Sequence, residues 1–436
     1  MGNAYLFATF NALSFQIIIN SPMVLYAKSL GASATVLGII VGMMPLLVIF
    51  QIPAAHYVAR VGYRRFVYAG WGTRVMFIFA MALVPLTSTF LSPETQISLL
   101  LLLLFGFNLS RGISSAGWLP WITALVPGDV RGKYLVRDAA SVNLASFVAF
   151  LLAAFWLGRS PKPWQFSVLF VFSAMAGCMS LVFLKRIPDV EAPPERRVSN
   201  VPVPWMEMLA FPPFRKLVKT AVAWSFAYGG VAAFTVAFLK VEVAMPERTI
   251  LLVNSFFFVG GLSSLWLLGH RLDHFGSKPV LTFAIFMWML IVSGWGLVAG
   301  KVLPFNLPFI LALHFFMGLF AALVSMGNTR LVMAVVPAMG RDHFFAMFSV
   351  MTNVMLGVSP IFWGLLIDAV GSLGAPQRAL EWNRFTVFFA GVLAAQFVTL
   401  YYVRRLEEPQ AASLEQLLHD VLIQSPQRVF LRIWPR

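Results

Sequence analysis

Arg111 stands near the middle of a long apolar stretch, with no Asp or Glu close to it in the sequence. Asn108, Arg111, Ser115 and Trp118 follow one another at spacings of 3, 4 and 3, which puts them on one face of a helix. A guanidinium keeps its charge and offers a planar fork of donors. This face therefore suits a carboxylate, a phosphate or a ligand rich in hydrogen-bond acceptors. Left alone in lipid, such a group costs about 2.5–3.5 kcal/mol by insertion scales, so it must meet water, a partner or a cavity. The matching face 210 residues later reads Gly318, Ala321, Ser325 and Asn328, with His314 one turn earlier. Trp224, Tyr228 and Thr235 share a face in another apolar stretch, and Asn11, Ser14 and Ser21 mark the first one.

Carboxylates are missing from these places. All seventeen acidic residues fall in loops or near expected helix ends, Asp138, Glu242 and Asp368 among them. No central Asp or Glu is left to relay a cation or to hold a cationic ligand, and His314 is the one remaining titratable candidate. Plainer roles stand beside these. His314 on an apolar face fits a hydrogen-bonded packing residue, and Trp224 and Tyr228 fit simple packing. Arg74 and Arg330 lie within a few turns of expected helix ends, where snorkelling or salt bridging is expected. Asn143 and Asn353, again 210 apart, suit helix–helix hydrogen bonds.

The six histidines do not cluster with carboxylates, apart from His270 and His274 around Asp273, and Cys178 is the only cysteine. Neither a metal site nor a disulfide framework is expected, and no cofactor is implied. There is no G-x-x-x-x-G-K-[ST] motif, which disfavours a nucleotide-driven pump within this chain. An integral-membrane enzyme would need a nucleophile, base or metal cluster near the interface, and none is legible.

The elements that carry these residues follow from composition. Hydrophobic residues make up 59% and charged residues 11%, against roughly a quarter charged in ordinary soluble domains. Apolar stretches long enough to span a bilayer recur twelve times, near 5–28, 34–57, 66–90, 97–124, 136–158, 164–185, 214–240, 248–269, 279–300, 307–335, 344–370 and 382–404. Lipid cannot satisfy open backbone groups, so these are expected to be helices. The net charge of +15 sits in short loops, which fits the positive-inside rule better than nucleic-acid binding and places both termini in the cytoplasm. The proline-rich segment 186–213 reads as a linker. It divides the chain into a six-helix half, 1–185, and a second, 214–404, followed by a tail, 405–436. In the tail, Leu414, Leu417, Leu418, Val421 and Leu422 have helical spacing.

Two links echo each other across the halves. The first runs Ala55-His56-Tyr57-Val58-Ala59-Arg60-Val61-Gly62-Tyr63-Arg64-Arg65, the second Gly269-His270-Arg271-Leu272-Asp273-His274-Phe275-Gly276-Ser277-Lys278-Pro279. At these links the sequence resembles the major facilitator superfamily, whose helix 2–3 and helix 8–9 loops read roughly G-x-x-x-D-x-x-G-x-[RK]. Gly269, Asp273, Gly276 and Lys278 fall in register. The first copy keeps Arg60, Gly62, Arg64 and Arg65 but has Ala55 and Ala59 in place of Gly and Asp. Pro127 to Tyr134 resembles the family's helix 4–5 loop, and its Arg131 recurs as Arg341. The resemblance covers roughly residues 5–404.

The resemblance implies an all-α integral membrane protein of twelve transmembrane helices in two pseudo-symmetric six-helix halves, working by alternating access. It implies a central cavity lined by helices 1, 4, 7 and 10. Asn108, Arg111, Ser115, Trp118, Trp224, Tyr228, His314, Ser325 and Asn328 are then the candidate cavity residues. Arg60, Gly62, Arg64, Arg65, Gly269, Asp273, Gly276 and Lys278 become gating-loop residues, together with Arg131 and Arg341. The expected function is secondary transport of a small polar or anionic organic solute. Efflux of lipophilic compounds is the alternative, suggested by 42 Phe and 20 Met, and an integral-membrane enzyme or a transporter-derived sensor is a distant one. Expected partners are that solute, a coupling ion as an open option, and membrane lipids, with no nucleic acid. A monomer in a bacterial inner membrane is expected.

Overall fold

The computed structural model describes residues 2–126, 128–190, 205–268, 276–335, 341–371, 375–376 and 381–408. The chain folds into long helices: α1 (Gly2–Ser29), α2 (Ala34–Val58), α3 (Tyr63–Thr89), α4 (Pro93–Leu125), α5 (Gly128–Leu157), α6 (Pro163–Lys185), α7 (Pro212–Val241), α8 (Glu247–Leu268), α9 (Ser277–Ala299), α10 (Leu307–Val335), α11 (Arg341–Val370) and α12 (Arg384–Arg404). Eleven pass the length and apolarity needed to cross a membrane, and α8, 22 residues long, makes the twelfth. A single helical segment, Trp205–Ala210, precedes α7. Ala375–Pro376 pairs with Glu381–Trp382 in a small antiparallel ladder between α11 and α12.

Local chemistry sets the helix starts. Prolines open α4, α6 and α7 at their first positions, where a missing N–H costs nothing. Ser33 caps α2, Ser92 caps α4, and Asn383 accepts from Phe385 N and Thr386 N to cap α12. Helix α5 begins at Gly128, directly after Pro127 and eight residues earlier than the hydropathy suggests. Asp138, which the sequence puts near a helix end, therefore stands in the third turn of α5, half-buried, its Oδ1 without a partner.

Two helices are broken in equivalent places. In α1 the break falls at Asn20, whose backbone is extended ahead of Pro22. In α7 it falls at Gly229 and Gly230, and Gly230 has a φ of 82°, open to glycine at little cost.

The packing repeats after six helices. In the first half α1 lies against α5 and α6, α3 against α4 and α6, and α2 against α4. In the second, α7 lies against α11 and α12, α9 against α10 and α12, and α8 against α10. The halves meet where α2 crosses α11 and α5 crosses α8. Gly38, Gly42, Gly357 and Gly364 stand at the α2–α11 crossing, with backbone of the opposite helix where a Cβ would go. Close crossings of this kind are how small residues join helices in lipid.

Candidate functional site

A cavity of about 230 Å³ lies between the halves, beside both helix breaks. Gln16, Asn20 and Ser21 of α1 and Phe150 of α5 form one side; Tyr228 of α7, Asn254 of α8 and His314 and Met317 of α10 form the other. Its polar groups are held by named bonds. Gln16 Nε2 donates to Ser146 Oγ at 2.7 Å, and Asn20 Nδ2 donates to Gln16 Oε1. Ser21 Oγ donates across the halves to Asn254 Oδ1 at 3.2 Å, while Asn254 Nδ2 donates to its own helix at Ile250 O. His314 is buried, with Nδ1 3.1 Å from Ile310 O. A carbonyl oxygen only accepts, so Nδ1 carries the proton and Nε2 is left as an acceptor. Nε2 has no protein partner. Trp224 stacks on Tyr228 with ring centres 5.3 Å apart, and Trp288 meets both edge-on.

The α4 residues lie elsewhere, within the first half. Trp118 packs on Phe7 of α1 at 4.7 Å and beside Trp71 of α3. Ser115 Oγ is 3.5 Å from Gln51 Oε1 of α2 and donates to Gly112 O at 2.7 Å. Asn108 is buried, donates to Leu104 O, and leaves Oδ1 unpartnered. Arg111, on the same stripe, is half-buried. Among the described residues it enters no ion pair. On α10, Ser325 is exposed and Asn328 half-buried. The expected set is thus split: Tyr228 and His314 line the cavity, Trp224 backs Tyr228, and Asn108, Arg111, Ser115, Trp118, Ser325 and Asn328 are not part of its wall.

Arg74 corrects the expectation of snorkelling. It is 1% exposed, donates through Nη2 to Asn11 Oδ1, and stacks over Trp71 and Phe107 at 5.0 and 5.6 Å. It sits eleven residues into α3, about 16 Å at 1.5 Å per residue, beyond the reach of its side chain to the helix end. Arg330 behaves as expected, with Nη1 2.7 Å from Glu408 Oε1.

The two basic turns are alike. Gly62 before α3 has φ 87°, ψ 149°, and Gly276 before α9 has φ 83°, ψ 171°, backbone that L-residues with a Cβ rarely adopt. The N-terminus of each following helix meets a carboxylate four residues past the last helix of its half. Asp189 accepts from Arg64 N at 3.3 Å and faces Arg64 Nε at 3.5 Å. Glu408 accepts from Ser277 N and Lys278 N, both at 2.8 Å, and from Arg330. Arg60 and Arg65 are exposed. Arg131 and Arg341 fall in the first turns of α5 and α11. Gly269 and Asp273, like the tail beyond Glu408, lie outside the described residues.

At the end away from these basic turns the halves are joined. Asp368 of α11 accepts from Ala34 N at 3.0 Å, Thr35 N at 2.7 Å and Thr35 Oγ1 at 2.6 Å, capping α2. Arg248 N donates to Gly158 O at 2.9 Å, tying the start of α8 to the end of α5.

Sequence reasoning missed Gln16, Asn20 and Asn254, though each is an amide in an otherwise apolar helix. It also missed Asp189 and Glu408. Their signal is the echo of Lys185-Arg-Ile-Pro-Asp189 in Arg404-Arg-Leu-Glu-Glu408.

Eleven helices long and apolar enough to cross a membrane, with α8 as the twelfth, stand in two repeated halves around a polar cavity, the architecture of an integral multi-pass membrane protein. The family model of the Major Facilitator Superfamily matches residues 4–247 and 231–434. The chain belongs to that superfamily. Its fold is similar to that of a D-xylose–proton symporter, at TM-score 0.73 and 13% identity, over 94% of this chain and 97% of that one. A variant of the nucleoside transporter NupG superposes at TM-score 0.71 and 11% identity, over 93% and 99%. A POT family transporter solved with 5-aminolevulinic acid superposes at 0.65 and 12%, over 93% and 96%. No curated protein matches in sequence.

Proposed function

We propose that the chain is a secondary transporter that carries a small polar organic solute by alternating access, binding it in the cavity between the halves. The observation that carries this reading is convergence. Gln16, Asn20 and Ser21 from one half, and Tyr228, Asn254 and His314 from the other, surround one space beside both helix breaks. Hydrogen-bonding groups contributed by both halves let a bound solute feel any change in their relative position. Breaks in α1 and α7 suit rocking about that point. A volume near 230 Å³ lies below the roughly 300–1,000 Å³ of drug-sized sites. That supports a metabolite-sized solute over a bulky lipophile.

The basic turns are read as the cytoplasmic side of a bacterial inner membrane. The state described is then closed toward the outside by Asp368 and the α2–α11 crossing, and Asp273 is a gating residue on the opposite face.

A thermal-shift screen of the detergent-purified protein tests the site, because a ligand of the folded state raises the melting temperature by mass action. Sugars, nucleosides and carboxylates form the panel, with wild type, Tyr228→Phe and Asn254→Ala side by side. At least one solute is expected to stabilise the wild type saturably. Each variant should weaken its apparent affinity about five- to tenfold, the value of one hydrogen bond. Binding unchanged in both variants, or no binding across the panel, contradicts the proposal.

A further inference from the structure

We infer that Arg74 and Arg111, with Asn11 beside Arg74, form an anion-binding subsite within the first half, apart from the central cavity, that takes a carboxylate or phosphate group. The inference goes beyond the transporter reading and is tested apart from it.

Both guanidiniums stand well inside long apolar helices, and neither enters an ion pair among the described residues, whereas Arg330, toward the end of α10, meets Glu408. Arg74 lies over the Phe107 ring of α4, and Arg111 follows Phe107 by one turn of the same helix, so the two cations stand on adjoining helices. Arginine does not shed its proton to escape such a place, and an uncompensated buried charge is strongly destabilising. The fold compensates Arg74 in part. Asn11 Oδ1 accepts from it and also from Trp71 Nε1 at 3.1 Å, and the Trp71 and Phe107 ring faces lie against it. Its Nε remains buried with no partner.

Arg111 is the open hand of the pair. It is half-buried, so its guanidinium is within reach of a ligand. Its helix neighbours fix its direction: Ser115 meets α2, Trp118 meets α1 and Ser114 meets Gly70 of α3. Exposed Ile113 and Leu119 lie on other faces of the helix. Arg111 thus points inward among the first three helices. Arg74 is a positioning residue that holds Asn11 and raises the local positive potential, and Arg111 makes the contact. The aromatic wall of Phe7, Trp71 and Trp118 beside the pair suits the organic body of such an anion.

The experiment uses the full-length protein in detergent, titrated with sodium phosphate or sodium acetate against equal increments of sodium chloride. Wild type is expected to show a saturable rise in melting temperature with at least one oxyanion, beyond that given by chloride. The stronger of the two reports phosphate or carboxylate preference. Arg111→Gln should lose tenfold or more in apparent affinity, and Arg111→Lys, which keeps charge without the fork, should fall between. Arg74→Lys, conservative enough to fold, should weaken the same effect. A rise matched by chloride, or one unchanged in Arg111→Gln, overturns the subsite. The transporter reading is judged separately by Tyr228→Phe and Asn254→Ala. An uncharged solute that depends on those two residues, with no oxyanion effect, would leave that reading intact and overturn this inference alone.

Discussion

His314 fastens one ring nitrogen to its own helix and leaves the other buried without a partner, in a side chain that lines the cavity. That arrangement costs a buried acceptor unless something donates to it. A solute hydroxyl or amide is the natural donor, and His314→Phe, which keeps a flat ring and removes the acceptor, should therefore separate function from folding. Calorimetric titration is expected to show solute affinity about five- to tenfold weaker, with the melting temperature within a few degrees of wild type. An unchanged affinity would return His314 to packing against Trp295, whose ring centre is 5.3 Å away. At this scale the sequence was partly legible. Tyr228 and His314 stood out as polar groups in apolar helices, and they do line the cavity. Gln16, Asn20 and Asn254 carried the same signal, yet a choice of helix faces by offset passed over them. Arg74 was misread because depth was judged from the loop, whereas eleven helical residues carry a side chain far beyond snorkelling range.

Helix termini explain the basic face. Glu408 caps the first turn of α9 and binds Arg330 at once, so it closes α9, α10 and the end of α12 into one unit. Charge-assisted caps of this kind contribute about 1–2 kcal/mol. Glu408→Gln is expected to lower the melting temperature by several degrees, and Asp189→Asn, at the equivalent and more exposed site, by less. Equal effects, or none, would contradict the assignment. Beside it, Glu407 bonds Lys216, and that bond and charge hold its carboxyl below the usual carboxylate range. A depressed carboxylate contributes stability that is present above its unfolded value, about 4.3, and is lost as pH falls through the folded value. The pair is exposed, so the effect is small. The melting temperature of wild type minus that of Glu407→Gln should shrink between about pH 5 and pH 3 and stay flat from pH 5 to 8. The helices themselves were legible because hydropathy and length leave lipid-spanning segments no other option. The early start of α5 was not, since a polar first turn resembles a loop until a proline ahead of it is taken as the start signal.

The whole molecule is two copies of one packing plan, joined by two crossings and latched at one end. The twelve-helix, two-half plan could be read from the repeated links around Gly62 and Gly276. The latch could not, because it joins residues more than 330 apart in sequence, Asp368 with Ala34 and Thr35. Glycines at the α2–α11 crossing allow that contact, and a bulky residue there should hold the halves apart. Gly38→Val is expected to abolish solute uptake in proteoliposomes while leaving the helical circular dichroism unchanged; uptake at the wild-type rate would show that the crossing tolerates a Cβ.

Alternation about the central cavity is tested most directly by spin-label distances in wild type and Asp368→Asn, on a Cys178→Ser background. One label pair sits at Ser92→Cys and Leu303→Cys, on the latched end, and the other at Arg65→Cys and Arg215→Cys, on the basic end. Weakening the Asp368 cap should lengthen the first distance and shorten the second in the same molecules, with no solute added. Lengthening of the first pair alone, or no change in either, would contradict alternating access between two rigid halves.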